Sequence, residues 1–152
     1  MNYDFVTDRL AIGTTPETVA DLSPFTHVID CRAELDIAAM IRGTWFADHY
    51  LYAPTGDFSL LHRTHKPVDW FKKGVEFALP VLSQPHTKLY VFCHAGANRS
   101  PSMSYTILRA LGLTSAQCFG IIDLGRFVAI EGLIACGWWR DGEIALKTLG
   151  YI

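Results

Sequence analysis

The sequence predicts an α/β domain built on a mostly parallel central sheet of about four to five strands, with helices on both faces. Short apolar runs of strand length alternate along the chain with longer segments of helical periodicity, which is typical of such sheets. Half of the 152 residues are hydrophobic and 18% are charged. That balance supports a buried core in a single domain, residues 1–152.

Short apolar runs have the length and composition of strands. The run 89–93 places Leu, Tyr, Val and Phe before Cys93, as expected of a strand that is buried on both faces. Pro, Gly and Asp in the segment 54–57 predict a loop. The predicted strands are 9–13, 27–31, 49–53 and 89–93.

Helical periodicity is clearest in the segment 66–82, where apolar residues recur at steps of three and four. Thr114 and Gln117 have the spacing of a capping box, which marks the start of another helix. The predicted helices are 16–22 with Thr15 as N-cap, 34–41, 66–82, 100–111 before Gly112, one that begins at 114, and 141–149 before Gly150.

Charge and cysteine content narrow the class of protein. The formal net charge of −2 argues against a protein that coats nucleic acid, which normally carries a basic surplus. The wide cysteine spacing fits neither a zinc site nor a disulfide framework, so we expect free thiols in a reducing compartment. The first ten residues lack the apolar run of a signal peptide, and the apolar stretch 127–139 is too short to span a membrane. A cytoplasmic location is therefore expected. The cysteines are Cys31, Cys93, Cys118 and Cys136.

The segment 93–100 combines the groups that a phosphate site needs. Cys93 ends a predicted strand, Arg99 follows after five intervening residues, and a helix begins at about that arginine. Helix N-termini present unpaired N–H groups and a partial positive charge, so they bind anions. The predicted phosphate-binding loop consists of His94, Ala95, Gly96, Ala97, Asn98 and Arg99.

The residue types in and beside this loop suit the binding and attack of a phosphate group. Gly96 lets the backbone bend and approach an anion closely, and the planar fork of Arg99 can grip two phosphate oxygens. The positive field favours the thiolate of Cys93, which is the form that attacks phosphorus. Ser100 can donate its hydroxyl to that sulfur. A lone cysteine at a strand end is usually a small buried hydrophobe, but the neighbouring Gly, Arg and Ser favour catalysis.

Here the chain resembles the cysteine-based protein phosphatases, and within them the dual-specificity branch. Their signature, Cys-x-x-Gly-x-x-Arg-Ser/Thr after a buried strand, is matched by Cys93, Gly96, Arg99 and Ser100. The resemblance covers most of residues 8–130 and implies a phosphatase-like fold. The segments that look like the family's first two strands and the approach to its general-acid loop are 8–13, 25–30 and 50–57.

The resemblance also implies a general acid. In the family an Asp on a loop some thirty-odd residues before the nucleophile protonates the leaving group and then activates water. Asp57 lies 36 residues before Cys93 and follows a predicted strand. Asp48 is the fallback, but it precedes that strand. Arg126 is in a similar place to an Arg that braces the loop in relatives, and an ordinary surface arginine is the alternative.

Two positions depart from the family pattern. The family usually has His immediately before the cysteine, where this chain has Phe92, and that change puts the arrangement of the loop in question. Asn98 before Arg99 is similar to the Asn-Arg-Thr of the RNA 5′-triphosphatase relatives.

The resulting hypothesis is a metal-independent phosphomonoester hydrolase. It would act on phosphotyrosine, and on phosphoserine and phosphothreonine if the pocket is shallow, through a phosphocysteine on Cys93. An RNA 5′-phosphatase, a phosphoinositide phosphatase, a non-catalytic phosphate-binding module and a rhodanese-type sulfur transferase are the alternatives. The absence of Lys from the loop interior 94–98 argues against phosphoinositides.

Partners and cofactors follow from this hypothesis. The expected partner is a phosphorylated protein, with phosphate or another oxyanion in the site. No cofactor, metal or membrane partner is expected, and nucleic acid is expected at most as an RNA 5′-phosphate.

Overall fold

The computed structural model describes residues 1–34, 48–57 and 65–152, and the central element is a five-stranded sheet. Its order is β1-β2-β5-β3-β4; β1 runs antiparallel to β2, and every other neighbouring pair is parallel. The predicted α/β fold with a mostly parallel sheet is therefore confirmed. The strands are β1 Tyr3–Phe5, β2 Leu10–Gly13, β3 His27–Arg32, β4 Tyr50–Thr55 and β5 Leu89–Phe92.

Most of the helices begin and end close to their predicted bounds. The first predicted helix is shorter than expected: it is a 3-10 turn whose N-cap is Thr18, so the assignment of Thr15 as N-cap is wrong. Most of the predicted helix 34–41 lies outside the described residues. The helices are the 3-10 helix Val19–Leu22, α1 Val68–Ser83, α2 Arg99–Ala110, α3 Ser115–Gly125, α4 Phe127–Cys136 and α5 Trp138–Leu149.

The central strands are buried on both faces, and alternate side chains enter two cores. Leu89 and Val91 of β5 pack into the large core beneath the α-helices. Tyr90 and Phe92 point to the opposite face, where Leu22 of the 3-10 helix packs against them. This burial on both faces explains why β5 is a continuous apolar run.

Helix α2 passes through the middle of the helical layer and is buried along most of its length. Small residues let its neighbours approach, since a Cβ at Gly74 of α1 or Gly142 of α5 would collide with α2 side chains. Because α2 begins at Arg99, directly after the loop that leaves β5, the sheet and this central helix together position the loop. No helix in the described ranges is long and apolar enough to cross a membrane.

Candidate active site

Cys93 lies immediately beyond the carboxyl end of β5 and is only 2% exposed. Its Sγ is 3.2 Å from Oγ of Ser100, which is buried in the first turn of α2. A hydroxyl at this distance can donate to a thiolate and to the same sulfur as it leaves phosphorus. The structure thus brings together the predicted nucleophile and the predicted hydroxyl donor.

The loop between Cys93 and Arg99 turns at Gly96, whose φ is +64°. A Cβ at this position would lie 2.7 Å from the backbone of Gly13 and 2.8 Å from the guanidinium of Arg126. Both the left-handed backbone conformation and the lack of space therefore require glycine. His94 and Ala95 are exposed at the mouth of the loop.

Arg126 braces the loop from the end of α3. Its Nε donates to the carbonyl of Gly96 at 3.0 Å, and a terminal nitrogen donates to the carbonyl of Ala95 at 3.2 Å. The opposite edge of the guanidinium pairs with Asp4 at 2.8 Å. By holding two carbonyl oxygens towards itself, Arg126 turns their partial negative charge away from an anion in the loop.

Helix α4 packs directly on the other side of the loop, and the contact depends on Gly132. A Cβ at Gly132 would lie 1.5 Å from the carbonyl oxygen of Ala97 and 2.6 Å from Oδ1 of Asn98. The sequence analysis missed this contact, because a glycine within an apolar helix carries no local signal of a distant loop.

Gly132→Ala is expected to displace α4 or the loop. We expect a loss of about 1–3 kcal/mol in the free energy of unfolding, which is typical of overpacking, and a fall in turnover of roughly tenfold or more. Chemical denaturation and steady-state kinetics measure the two effects. Gly120→Ala is the matched control, since nothing lies within 4 Å of a Cβ at Gly120 of α3. Equal behaviour of the two variants would contradict the packing argument.

The guanidinium of Arg99 is 1% exposed and is oriented by groups from two other segments. One terminal nitrogen donates to the carbonyl of Thr55 at 3.0 Å and to the carboxylate of Glu34 at 3.1 Å. Burial alone would lower the pKa of Arg99, but its hydrogen bond to Glu34 and the charge of Asp57 raise the pKa on balance. Arg99 is therefore a fixed cation, and Glu34 is a site residue that the sequence analysis missed.

The Nε of Arg99 is buried and has no hydrogen-bond partner among residues 1–34, 48–57 and 65–152. The second terminal nitrogen donates to the carboxylate of Glu34 at 3.4 Å and lies 3.7 Å from that of Asp57. A planar guanidinium can bind two oxygens of an oxyanion, and an anion that binds here would compete with Glu34 for this nitrogen.

Asp57 reaches the same site from the segment after β4. Its carboxylate lies 3.7 Å from the guanidinium of Arg99 and accepts a hydrogen bond of 3.2 Å from the side-chain amide of Asn98. The predicted general acid is thus beside the predicted phosphate loop, although 36 residues separate it from Cys93. Asp48 precedes β4 and so lies at the opposite end of that strand.

Phe92 does not enter the loop. It is buried in the aromatic core on the opposite face, with its ring stacked 5.4 Å from that of Tyr90. The start of the loop is instead held by Thr15. Its hydroxyl donates to the carbonyl of Cys93 at 3.2 Å, and its backbone N–H donates to the carbonyl of His94 at 3.4 Å. In this chain, the hydroxyl and the N–H of Thr15 stabilise the start of the loop.

No metal-ligating cluster occurs in the part of the chain that the structure describes: no group of three His, Cys, Asp or Glu side chains there could hold an ion. Arg99, Arg126 and Lys66 bring positive charge to the site, together with the N-terminus of α2.

No protein-family model matches the chain, and no curated protein matches it. Solved structures do match its fold. Human DUSP28 is 16% identical, with a TM-score of 0.72 over 97% of each chain. The PTP-2 phosphatase of Cydia pomonella is 16% identical, with a TM-score of 0.67 over 89% of this chain and 87% of that one. PTPMT1, solved in complex with PI(5)P, is 18% identical, with a TM-score of 0.63 over 96% of this chain and 98% of that one.

At sequence identities this low, structural similarity shows the fold but not the activity, which depends on the residues of the site. The fold, the strand-loop-helix segment around Cys93 and the structural neighbours all indicate the same architecture. The chain has the fold of the cysteine-based phosphatases and is similar to their dual-specificity type.

Proposed function

We propose that this protein is a cysteine-dependent phosphatase that hydrolyses phosphotyrosine, and also phosphoserine and phosphothreonine, without a metal. The observation that carries the proposal is the buried Cys93 sulfur, 3.2 Å from Ser100 Oγ and at the foot of a loop that feeds the N-terminus of α2. A nucleophile in that position faces the place where the helix and Arg99 favour a phosphate.

In the first step the Cys93 thiolate attacks phosphorus, and the bond between phosphorus and the leaving oxygen breaks. Asp57, in its acid form, gives its proton to that oxygen. Arg99 and the loop N–H groups bind the phosphoryl oxygens, on which charge is spread in the transition state. The products of the step are the free alcohol or phenol and a phosphocysteine.

In the second step water attacks the phosphocysteine. The carboxylate of Asp57 takes a proton from the water, the sulfur–phosphorus bond breaks, and inorganic phosphate leaves. The thiolate that is released accepts a hydrogen bond from Ser100 at the distance seen in the structure, 3.2 Å. The enzyme returns to its starting state without an external reductant or cofactor.

Dual specificity is supported by the size of the chain. The alignment with human DUSP28 covers 97% of both chains, so this chain has no large insertion relative to that structure. A large insertion is one way to wall a deep, phosphotyrosine-selective pocket. The carboxylate of Asp57 is 41% exposed, consistent with a shallow site. We also propose a cytoplasmic location, supported by four free cysteines.

A second candidate substrate is a lipid phosphate. PTPMT1, a structural neighbour, was solved with PI(5)P. In this chain, Gly132 places α4 against the phosphate loop. Large apolar side chains of α4 and of the end of α3 are exposed. Leu124 is 92% exposed, Phe127 66% and Ile134 68%. A contiguous patch of exposed apolar groups is typical of an interaction surface.

The proposal is tested by phosphate release in the presence of EDTA from phosphotyrosine and phosphoserine peptides, a soluble phosphoinositide and a 5′-triphosphorylated RNA. We expect turnover of both peptides. Selective turnover of the phosphoinositide or the RNA would replace the protein substrate. Phosphate binding without turnover of any substrate would indicate a non-catalytic binding module.

Asp57→Asn is expected to lower kcat on phenyl phosphate by about a hundredfold or more, because the phenolate leaves without a proton. The loss on 4-nitrophenyl phosphate should be smaller, since its leaving group is stable as an anion. Affinity for inorganic phosphate should change little. Asp48→Asn removes a similar exposed carboxylate at the wrong end of β4 and is the control. An undiminished rate on phenyl phosphate would overturn the role of Asp57.

A further inference from the structure

The two residues that precede Asp57 are held by Lys66. Lys66 is 8% exposed and lies just before α1. Its ammonium donates to the hydroxyl of Thr55 at 2.8 Å and to the carbonyl of Gly56 at 2.5 Å. These bonds cross from the start of one helix to the end of β4, so they restrain the backbone on which Asp57 is carried.

Lys66 is itself fixed to the first turn of α5. Its backbone N–H donates to the buried carboxylate of Asp141 at 3.0 Å. Its ammonium lies 4.1 Å from the ring centroid of Trp138, which is buried, a position in which a cation is attracted to the aromatic face. The lysine therefore connects a rigid helix to the segment that carries the general acid.

We propose that Lys66 is a positioning residue for acid catalysis: its ammonium holds Thr55 and Gly56 so that the carboxyl group of Asp57 is aligned with the leaving oxygen. The inference rests on the proposed phosphatase function. Lys66 acts through Asp57 and takes no part in the attack by Cys93.

Charge on Lys66 is part of this role. Burial and the nearby charge of Arg99 lower the pKa of Lys66 to about 8, while the carboxylates of Asp57 and Asp141 act in the opposite direction. Cys136 at the end of α4 is also near the ammonium, but burial raises the pKa of its thiol and keeps it uncharged. The ammonium is therefore present below about pH 8 and is lost as the pH rises above it. Arginine stays charged at these pH values. In Lys66→Arg, the positive charge should therefore persist above about pH 8.

The experiment compares two leaving groups. Lys66→Met keeps most of the length of the unbranched side chain and removes the ammonium. Its kcat on phenyl phosphate should fall by roughly 10- to 100-fold, the scale of a misplaced catalytic group, with KM nearly unchanged. On 4-nitrophenyl phosphate, which needs little acid catalysis, the fall should be less than about threefold. Lys73→Met, an exposed lysine of α1, is the matched control.

Further variants separate positioning from a structural role. In an Asp57→Asn background, Lys66→Met should cause little additional loss, because the group that it positions is gone. Lys66→Arg should restore most of the rate on phenyl phosphate and reduce its decline above about pH 8. Thr55→Val removes the hydroxyl from the other side of the same hydrogen bond, and should reproduce the leaving-group dependence even if Lys66→Met folds poorly.

Equal losses on both substrates, or additive losses with Asp57→Asn, would overturn the inference. If Asp57→Asn shows the leaving-group dependence and neither Lys66→Met nor Thr55→Val does, this inference alone fails. If the wild type hydrolyses neither substrate, the proposed function fails together with it.

Discussion

Cys93→Ser is expected to hydrolyse 4-nitrophenyl phosphate at less than about a thousandth of the wild-type rate at any pH from about 5 to 8, with EDTA present. Serine is close to isosteric with cysteine, so the buried site should keep its shape. Its hydroxyl is not ionised in this pH range, and without a base beside it the oxygen is a poor nucleophile. Ser100 can offer only a hydrogen bond.

Phosphate affinity separates catalysis from folding in this variant. Arg99, the loop and the N-terminus of α2 are unchanged, so calorimetric binding of inorganic phosphate should persist. Cys118→Ala is the control: it removes a buried thiol of α3, and its rate per folded molecule should match that of the wild type. A Cys93→Ser variant that keeps a tenth of the rate would rule out the phosphocysteine route.

Arg99→Lys should lower kcat/KM by roughly a thousandfold, the upper end of losses seen when one preorganised donor to a developing anion is removed. Lysine keeps the charge but lacks a planar guanidinium, which in the proposed mechanism binds the phosphoryl oxygens. It also cannot reproduce the bonds to Thr55 and Glu34 that orient the guanidinium. We therefore expect KM to rise as well as kcat to fall, together with weaker binding of inorganic phosphate.

Arg109→Lys provides the comparison within the same helix. Arg109 lies in the last turn of α2 and pairs with Glu143 at 2.6 Å, away from the phosphate loop. The exchange should leave kcat/KM unchanged. Unfolding curves for both variants measure how much of each change in rate comes from a change in the free energy of unfolding. A kcat/KM for Arg99→Lys within threefold of wild type would mean that Arg99 does not clamp the phosphate.

The part of the site that lies in one stretch of sequence was predictable. Cys93, Gly96, Arg99 and Ser100 are adjacent in the chain, and a strand followed by a tight loop and a helix can place them in few ways. Asp57 was predicted from the family resemblance, by its distance before Cys93 and its position after a predicted strand. Its place beside the loop has a physical reason, because the carboxyl ends of parallel strands meet at one edge of a sheet.

The supporting residues were not predictable, because each acts through a contact distant in sequence. Glu34, Lys66 and Thr15 have no local pattern that distinguishes them from surface residues, and they gain a role only when β3, α1 and β2 are packed around the loop. Their partners are a guanidinium nitrogen and backbone carbonyls. For Glu34, the sequence indicated only that a charged residue follows a predicted strand, which does not distinguish a site residue from a surface residue.

Two elements, β1 and α4, were not predicted, each for a different reason. The strand β1 has three residues at the edge of the sheet, too few to show alternation. Helix α4 is apolar around most of its circumference, so the periodicity that marks an amphipathic helix is absent from it. Its single charged side chain, Glu131, gave no indication of which face would meet the loop.

The contact between Lys66 and Trp138 gives the protein an optical signal of the position of Lys66. An ammonium 4.1 Å from an indole ring alters the electric field that the excited indole experiences. The emission spectrum of Trp138 therefore depends on where Lys66 is held and on whether it is charged. Because the chain has four tryptophans, the contribution of Trp138 is obtained as the difference between the emission of the wild type and that of Trp138→Phe. That difference reports on the charge and position of Lys66 without a dye attached beside the site.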